Sequence, residues 1–198
     1  MKYSQNDEEA YILEHFNDGR LGRFLDIGAA DGKTLSNTRR LMEWGWRGVL
    51  VEPSPTIIAS LYQNVVDYAG RVVVVPVAIG TEHKTIKFFD SCGDFVSTSV
   101  EAHRRKWERG GVRFVETEVD QITPRDLLDR HGYDFDFVSI DTEATNAAVL
   151  DAMPWEEMPA CSLVCVEHDN RDADIVARLG PLGFRVLHRN GENLILSR

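Results

Sequence analysis

The sequence predicts an α/β fold, a doubly wound, Rossmann-like and mostly parallel sheet. Three observations carry this prediction. Short apolar runs recur along the chain, and most are continuous rather than alternating, as in strands covered on both faces. Helical patterns separate them, giving a βαβ alternation. Finally, Phe24-Leu25-Asp26-Ile27-Gly28-Ala29-Ala30-Asp31-Gly32-Lys33-Thr34 reads as a buried strand, a glycine turn and the start of a helix.

The predicted strands cover 24–27, 49–51, 72–77, 135–140, 163–166, 184–187 and 194–196. A helix at 7–16, closed by Asn17-Asp18-Gly19, precedes the first strand. Helix 34–44 follows the glycine turn and stops at Gly45. Helix 56–68 follows Pro53-Ser54-Pro55. Thr123 is the expected N-cap of helix 124–130, which Gly132 ends. Pro154 halts helix 146–153, and Gly180-Pro181 ends helix 173–179. Asn190-Gly191 signals a hairpin, so the sheet is expected to finish with an antiparallel pair. One stretch breaks the alternation. Residues 85–89 and 112–119 are strand-like around a polar loop, predicting a ribbon or lid inserted at about 85–119 in a single domain spanning 1–198.

Composition narrows the function. The 198 residues suffice for one domain with a sizeable core, and 43% hydrophobic with 27% charged content is ordinary for a globular chain. The formal net charge of −10 argues against a general nucleic-acid binder, which draws its affinity from phosphate neutralisation. No apolar run approaches the ~20 residues that span a bilayer, and the polar, acidic N-terminus predicts no signal peptide. Cys92, Cys161 and Cys165 lack framework spacing, predicting reduced thiols and a cytoplasmic setting.

Ligands of open α/β sheets bind at the carboxyl ends of the strands. The first predicted strand leads into D-x-G-x-x-x-G rather than the dinucleotide fingerprint G-x-G-x-x-G. Asp26 would repel a pyrophosphate but suits a positively charged ligand, such as the amino acid end of S-adenosylmethionine. Glu52 ends the second strand, 24 residues after Gly28 and near the offset at which an acid meets ribose hydroxyls. Ala78, after the third strand, is placed to border an adenine edge. Asp26, Gly28, Ala29, Gly32, Glu52, Pro53, Ala78 and Asp141 form the candidate cofactor set.

With these residues in view, the chain resembles class I S-adenosylmethionine-dependent methyltransferases, and among them the FkbM-type family. The segments FLDIGAADG, GWRGVLVEPSP, VVVVPVAIG, ETEVDQITPRDLL, DFVSIDTEATNAAVL and LVCVEH carry the resemblance in order and spacing. It implies a seven-stranded sheet with an antiparallel last strand. It also implies S-adenosylmethionine as methyl donor and O-methylation of a small-molecule or glycan hydroxyl. The family block I-D-x-E-G here reads Ile140-Asp141-Thr142-Glu143-Ala144. Alanine would be strained if position 144 required positive φ.

A hydroxyl acceptor is a weak nucleophile until a base or metal activates it. Asp141, Glu143 and His168 are the candidate catalytic residues, with His168 as the natural base. Asp141, Asp169 and Asn170 also resemble the Mg²⁺ ligands of catechol-type O-methyltransferases, so a metal-assisted variant is an alternative. A module that binds cofactor without catalysis is a second, kept open by Ala144. A nicotinamide-dependent oxidoreductase is a third, opposed by Asp26 and the wide glycine spacing. The basic segment His103-Arg104-Arg105-Lys106-Trp107-Glu108-Arg109 reads either as an anion clamp or as a solvated helix face, the latter favoured.

Overall fold

The computed structural model describes residues 2–198. In chain order the strands are β1 (Arg23–Ile27), β2 (Arg47–Val51), β3 (Val72–Val75), β4 (Ala78–Ile79), β5 (Lys84–Asp90), β6 (Val115–Ile122), β7 (Phe137–Ile140), β8 (Leu163–Glu167), β9 (Arg185–Arg189) and β10 (Asn193–Ser197). The α-helices are α1 (Glu8–His15), α2 (Arg39–Glu43), α3 (Ile58–Val65), α4 (Glu101–Arg109), α5 (Pro124–His131), α6 (Asn146–Ala152) and α7 (Asp172–Leu179). Seven strands form the main sheet in the order β3-β2-β1-β7-β8-β10-β9. The pairings from β3 through β8 are parallel, and β10 runs antiparallel to both β8 and β9. This is the doubly wound α/β sheet with one antiparallel strand that the sequence predicts.

The central strands are apolar on both faces because helices cover both. On one face Leu25, Val49, Val138, Val164 and Leu196 pack with Leu127, Val149 and Ile175 of α5, α6 and α7. On the other, Phe24, Leu50, Phe137, Cys165 and Ile195 pack with Ile12, Leu41 and Leu61 of α1, α2 and α3. Burial of an aromatic or aliphatic side chain contributes roughly 1.5–3 kcal/mol, so these two layers dominate the sheet's stability. Thr123 caps α5 in a full capping box with Asp126, as its sequence signature predicts.

Three local expectations shift. The predicted helix 34–44 is mostly loop, with only Arg39–Glu43 helical. Asp31 takes the N–H groups of Lys33 and Thr34, Ser36 takes those of Thr38 and Arg39, and Leu35 sits at φ +58°. These local side-chain bonds compete with the helical ladder. The third strand stops at Val75, where the chain turns and sends Ala78–Ile79 to pair with β6. The fourth begins at Phe137 rather than at residue 135.

Residues 78–122 build a second, three-stranded sheet, β4-β6-β5, whose β5–β6 connection carries α4. It stands beside the carboxyl ends of β1 and β2.

Gly28 makes that edge possible. Its φ is +89°, and a Cβ there would lie 1.6 Å from the Asp141 carbonyl oxygen. We expect Gly28→Ala to destabilise the fold by ~3 kcal/mol or more, through backbone that cannot yield. Gly19 shares the positive φ, but a Cβ there meets nothing within 4 Å. Gly19→Ala should therefore cost only ~1–2 kcal/mol. Urea unfolding of the pair separates collision from backbone conformation.

Candidate active site

The ends of β1, β2 and β7 open into a cavity of about 560 Å³, roofed by the second sheet and α4. Asp26, Gly28, Ala29, Glu52, Pro53, Ala78, Asp141 and Glu143 all border it. The main chain draws them together. Gly28 and Ala29 donate to Val51 O at 2.9 and 3.0 Å, and Asp141 N donates to Ile27 O at 2.8 Å. Gly32 shapes the turn from outside the cavity wall, its N–H donating to Ala29 O at 2.9 Å.

Glu52 is buried, yet both carboxylate oxygens are held by backbone. Ala30 N donates to Oε2 at 2.9 Å and Ser54 N to Oε1 at 2.8 Å. Each oxygen keeps a lone pair free. Burial pushes its pKa up to about 7 against these two hydrogen bonds, and Asp90 and Asp26 raise it further. Asp26 accepts from Thr38 Oγ1 at 2.6 Å. Burial raises it to about 6, partly offset by Thr38 and Ser139. Asp141 and Glu167 are both raised by burial and by neighbouring carboxylates, so the pair does not carry two full charges at neutral pH. Asp141 Oδ1 is buried with no hydrogen-bond partner among the described residues. Seven carboxylates border the cavity, against Lys106 and His103. The interior therefore suits a cationic ligand with hydroxyl donors.

His168 does not reach this cavity. It is 3% exposed, its Nδ1 accepts from Asn170 N at 3.0 Å, and its Nε2 lies 3.3 Å from Asn190 O. Both ring nitrogens serve the loop after β8 and the terminal hairpin. Asp169 and Asn170 also lie outside the wall, both at positive φ. Asn146 Nδ2 ties Asp169 to Glu167, at 2.9 and 2.6 Å. No group of three His, Cys, Asp or Glu among the described residues is placed to hold a metal ion. Of the three residues whose sequence pattern suggests a Mg²⁺ site, Asp141 borders the cavity while Asp169 and Asn170 lie outside its wall.

The basic segment is largely self-neutralised, since Arg104 pairs with Glu101 and Glu108, and Arg105 with Glu101. That favours the helix-face reading for the arginines. Its other side was not legible as a site. His103 and Trp107 face the cavity, and His103 Nε2 lies 2.8 Å from Glu143 Oε2. Their i, i+4 spacing is the only sequence signal for this, and it is common to any helix. Glu143 and Ala144 both adopt positive φ, +50° and +80°. Alanine thus stands in the left-handed region that the glycine of the family block serves.

The profile of the methyltransferase FkbM domain matches residues 26–185. The chain belongs to the FkbM methyltransferase family. The match spans the glycine turn, Glu52 and the Asp141–Glu143 block, and it leaves the nicotinamide and non-catalytic alternatives without support. This FkbM chain is therefore a methyltransferase of the EC 2.1.1 class, for which S-adenosylmethionine is the class I cofactor. Such an enzyme needs a small-molecule or macromolecular acceptor. No curated protein matches the chain significantly.

Solved structures agree on the fold. A precorrin-8w decarboxylase from Methanobacterium thermoautotrophicum superposes with TM-score 0.55 at 14% identity, over 100% of this chain and 92% of that one. A precorrin-6y C5,15-methyltransferase from Geobacter metallireducens gives 0.54 at 13%, over 100% and 92%. A provisionally assigned tRNA (m1A22) methyltransferase from Streptococcus pneumoniae, in complex with S-adenosylmethionine, gives 0.50 at 13%, over 94% and 72%.

Two outcomes follow from this geometry. Asp26, Glu52 and Glu167 have folded pKa values raised above those of the unfolded chain, so their stabilisation is full below ~pH 4 and is lost as pH rises through 6–7. Thermal unfolding of the ligand-free protein should show stability falling across that window, by on the order of 3 kcal/mol for Glu52 alone. Glu52→Gln should flatten the slope. Ala144→Gly, which relieves left-handed alanine, should raise stability by about 1 kcal/mol in chemical denaturation.

Proposed function

We propose that this FkbM methyltransferase transfers the methyl group of S-adenosylmethionine to a hydroxyl on a small molecule or glycan. The observation that carries the reading is Glu52, a buried carboxylate whose two oxygens are fixed by Ala30 N and Ser54 N. Its remaining lone pairs match the two hydroxyls of a ribose. The rest of the wall fits the same cofactor. The orphaned Asp141 Oδ1 and the carboxylate of Asp26 suit the ammonium of its amino acid end. Gly28, Ala29 and Gly32 keep the turn flat enough for close approach, and Pro53 and Ala78 flank the space for the base.

When bound, the cofactor supplies an electrophilic methyl on a sulfonium. The protein's part is to hold that group, exclude water and free the acceptor oxygen of its proton. Asp141 and Glu143 lie at the exit of β7, where the acceptor would meet it. Acidic walls favour neutral or cationic acceptors over phosphorylated ones. The insert at about 85–119 forms the outer wall of the one domain and is the natural determinant of acceptor size. The three unpaired cysteines support a reducing, cytoplasmic setting, and none of the helices described is long and apolar enough to cross a membrane.

Calorimetry with S-adenosylhomocysteine tests this directly. We expect saturable binding that weakens ~10–100-fold in Glu52→Gln, the cost of hydrogen bonds to a charged acceptor. Because diol donors favour the ionised carboxylate, binding should release protons and weaken as pH falls below about 7. A folded protein with no binding, or a Glu52→Gln variant of equal affinity, would sink the assignment.

A further inference from the structure

We propose that His103, carried by the inserted helix α4, is the general base of the methyl transfer, with Glu143 receiving its proton. The proposal rests on the methyl-transfer reading above. Among the described residues His103 is the one histidine that borders the cavity. It is 9% exposed, on the inward face of a helix whose Arg104 and Arg105 pair with Glu101 and Glu108.

Its Nε2 has two close neighbours. Trp107 Nε1 donates to it at 2.8 Å, and Glu143 Oε2 lies 2.8 Å away. An indole N–H can only donate. A carboxylate can only accept, so Nε2 alternates between two states: unprotonated and accepting from Trp107, with the ring proton on Nδ1, or protonated and donating to Glu143. The first state is the one a base requires, and Trp107 favours it until an acceptor hydroxyl takes the place of the indole N–H. As the acceptor oxygen forms its bond to the methyl carbon, its proton passes to Nε2. The sulfonium S–C bond breaks, and its electron pair stays on sulfur. The imidazolium N–H then finds Glu143 Oε2 already within hydrogen-bond reach, so charge is balanced where it forms and the proton has an exit.

The insert and the Glu143 loop are also fastened to each other. Thr98 Oγ1 donates to Glu143 O at 2.8 Å and accepts from Val100 N, the residue preceding α4, at 3.0 Å. Base and proton acceptor are thus held on one hydrogen-bonded unit, although their residues lie 40 apart in sequence. His168 has no comparable geometry, because both its nitrogens are engaged away from the cavity.

The test uses the full chain, radiolabelled S-adenosylmethionine, a small-metabolite extract as acceptor source, and S-adenosylhomocysteine binding measured on every variant. His103→Ala and His103→Gln remove the base; the glutamine can still accept from Trp107 and so preserves the packing. We expect both to lose 10²–10⁴-fold in transfer with cofactor affinity within about twofold of wild type. Added imidazole should restore part of the activity to His103→Ala, which has room for it, and none to His103→Gln. Glu143→Gln should fall less than either. Transfer within about threefold of wild type in both His103 variants overturns the base assignment and leaves the methyl-transfer reading standing. Joint loss of transfer and cofactor binding in His103→Gln makes His103 structural and also overturns it. Wild type that binds S-adenosylhomocysteine yet transfers nothing overturns both.

Discussion

The site depends on the confinement of carboxylates at the carboxyl edge of the sheet. Asp26, Glu52, Asp141 and Glu167 sit where strand ends meet apolar side chains; burial raises all four pKa values, and neighbouring carboxylates raise those of Glu52, Asp141 and Glu167 further. Such a cluster is tolerable only because backbone N–H groups and hydroxyls fix its members, as Ala30 and Ser54 fix Glu52 and Thr38 fixes Asp26. The unsatisfied remainder, Asp141 Oδ1 above all, is a demand for positive charge. A cationic cofactor that brings its own hydroxyl donors meets that demand in one step. The same confinement that destabilises the ligand-free edge therefore supplies selectivity against pyrophosphate cofactors.

The backbone at this edge is as constrained as the charges. Gly28 approaches Asp141 O so closely that only glycine fits, which draws the ends of β1 and β7 together. One residue beyond Thr142 the chain enters the left-handed region at Glu143 and Ala144. Backbone strain of this kind persists when its surroundings over-determine it. Here the Thr98 hydroxyl grips Glu143 O, and Asn146 Oδ1 accepts from Thr142 N at 2.6 Å. The loop that bears Glu143 is thus pinned from the insert on one side and from α6 on the other.

Much of this was legible in the sequence, for identifiable reasons. The parallel core showed because both faces are covered, leaving strands as unbroken apolar runs. Glu52 and the glycine turn showed because strand end and offset restrict them to one place in this topology. The helix expected at 34–44 failed because Asp31, Ser36 and Thr38 turn their side chains back onto local backbone and onto Asp26, a competition that periodicity does not register. His168 was the natural base by position after β8, but the terminal hairpin closes over it. His103 was hidden for the opposite reason. Its neighbours are charged, its helix reads as solvated, and only the fold of the insert turns that one face inward.

That division bears on how acceptor choice arises in this architecture. Proteins that share the sheet at 13–14% identity carry descriptions as different as precorrin chemistry and tRNA methylation. The shared fold of the sheet therefore does not by itself fix the acceptor. In this chain the surfaces left to encode it are the inner face of α4, the β5–β6 sheet and the Glu143 loop. All three converge on one side of the cavity, and Thr98 links them. If the base itself rides on the insert, acceptor recognition and proton removal are not separable functions here. An acceptor that fails to seat against Trp107 leaves Nε2 occupied by the indole, and a hydroxyl held by the wrong acceptor is never deprotonated. Specificity is then exercised at the chemical step as well as in binding.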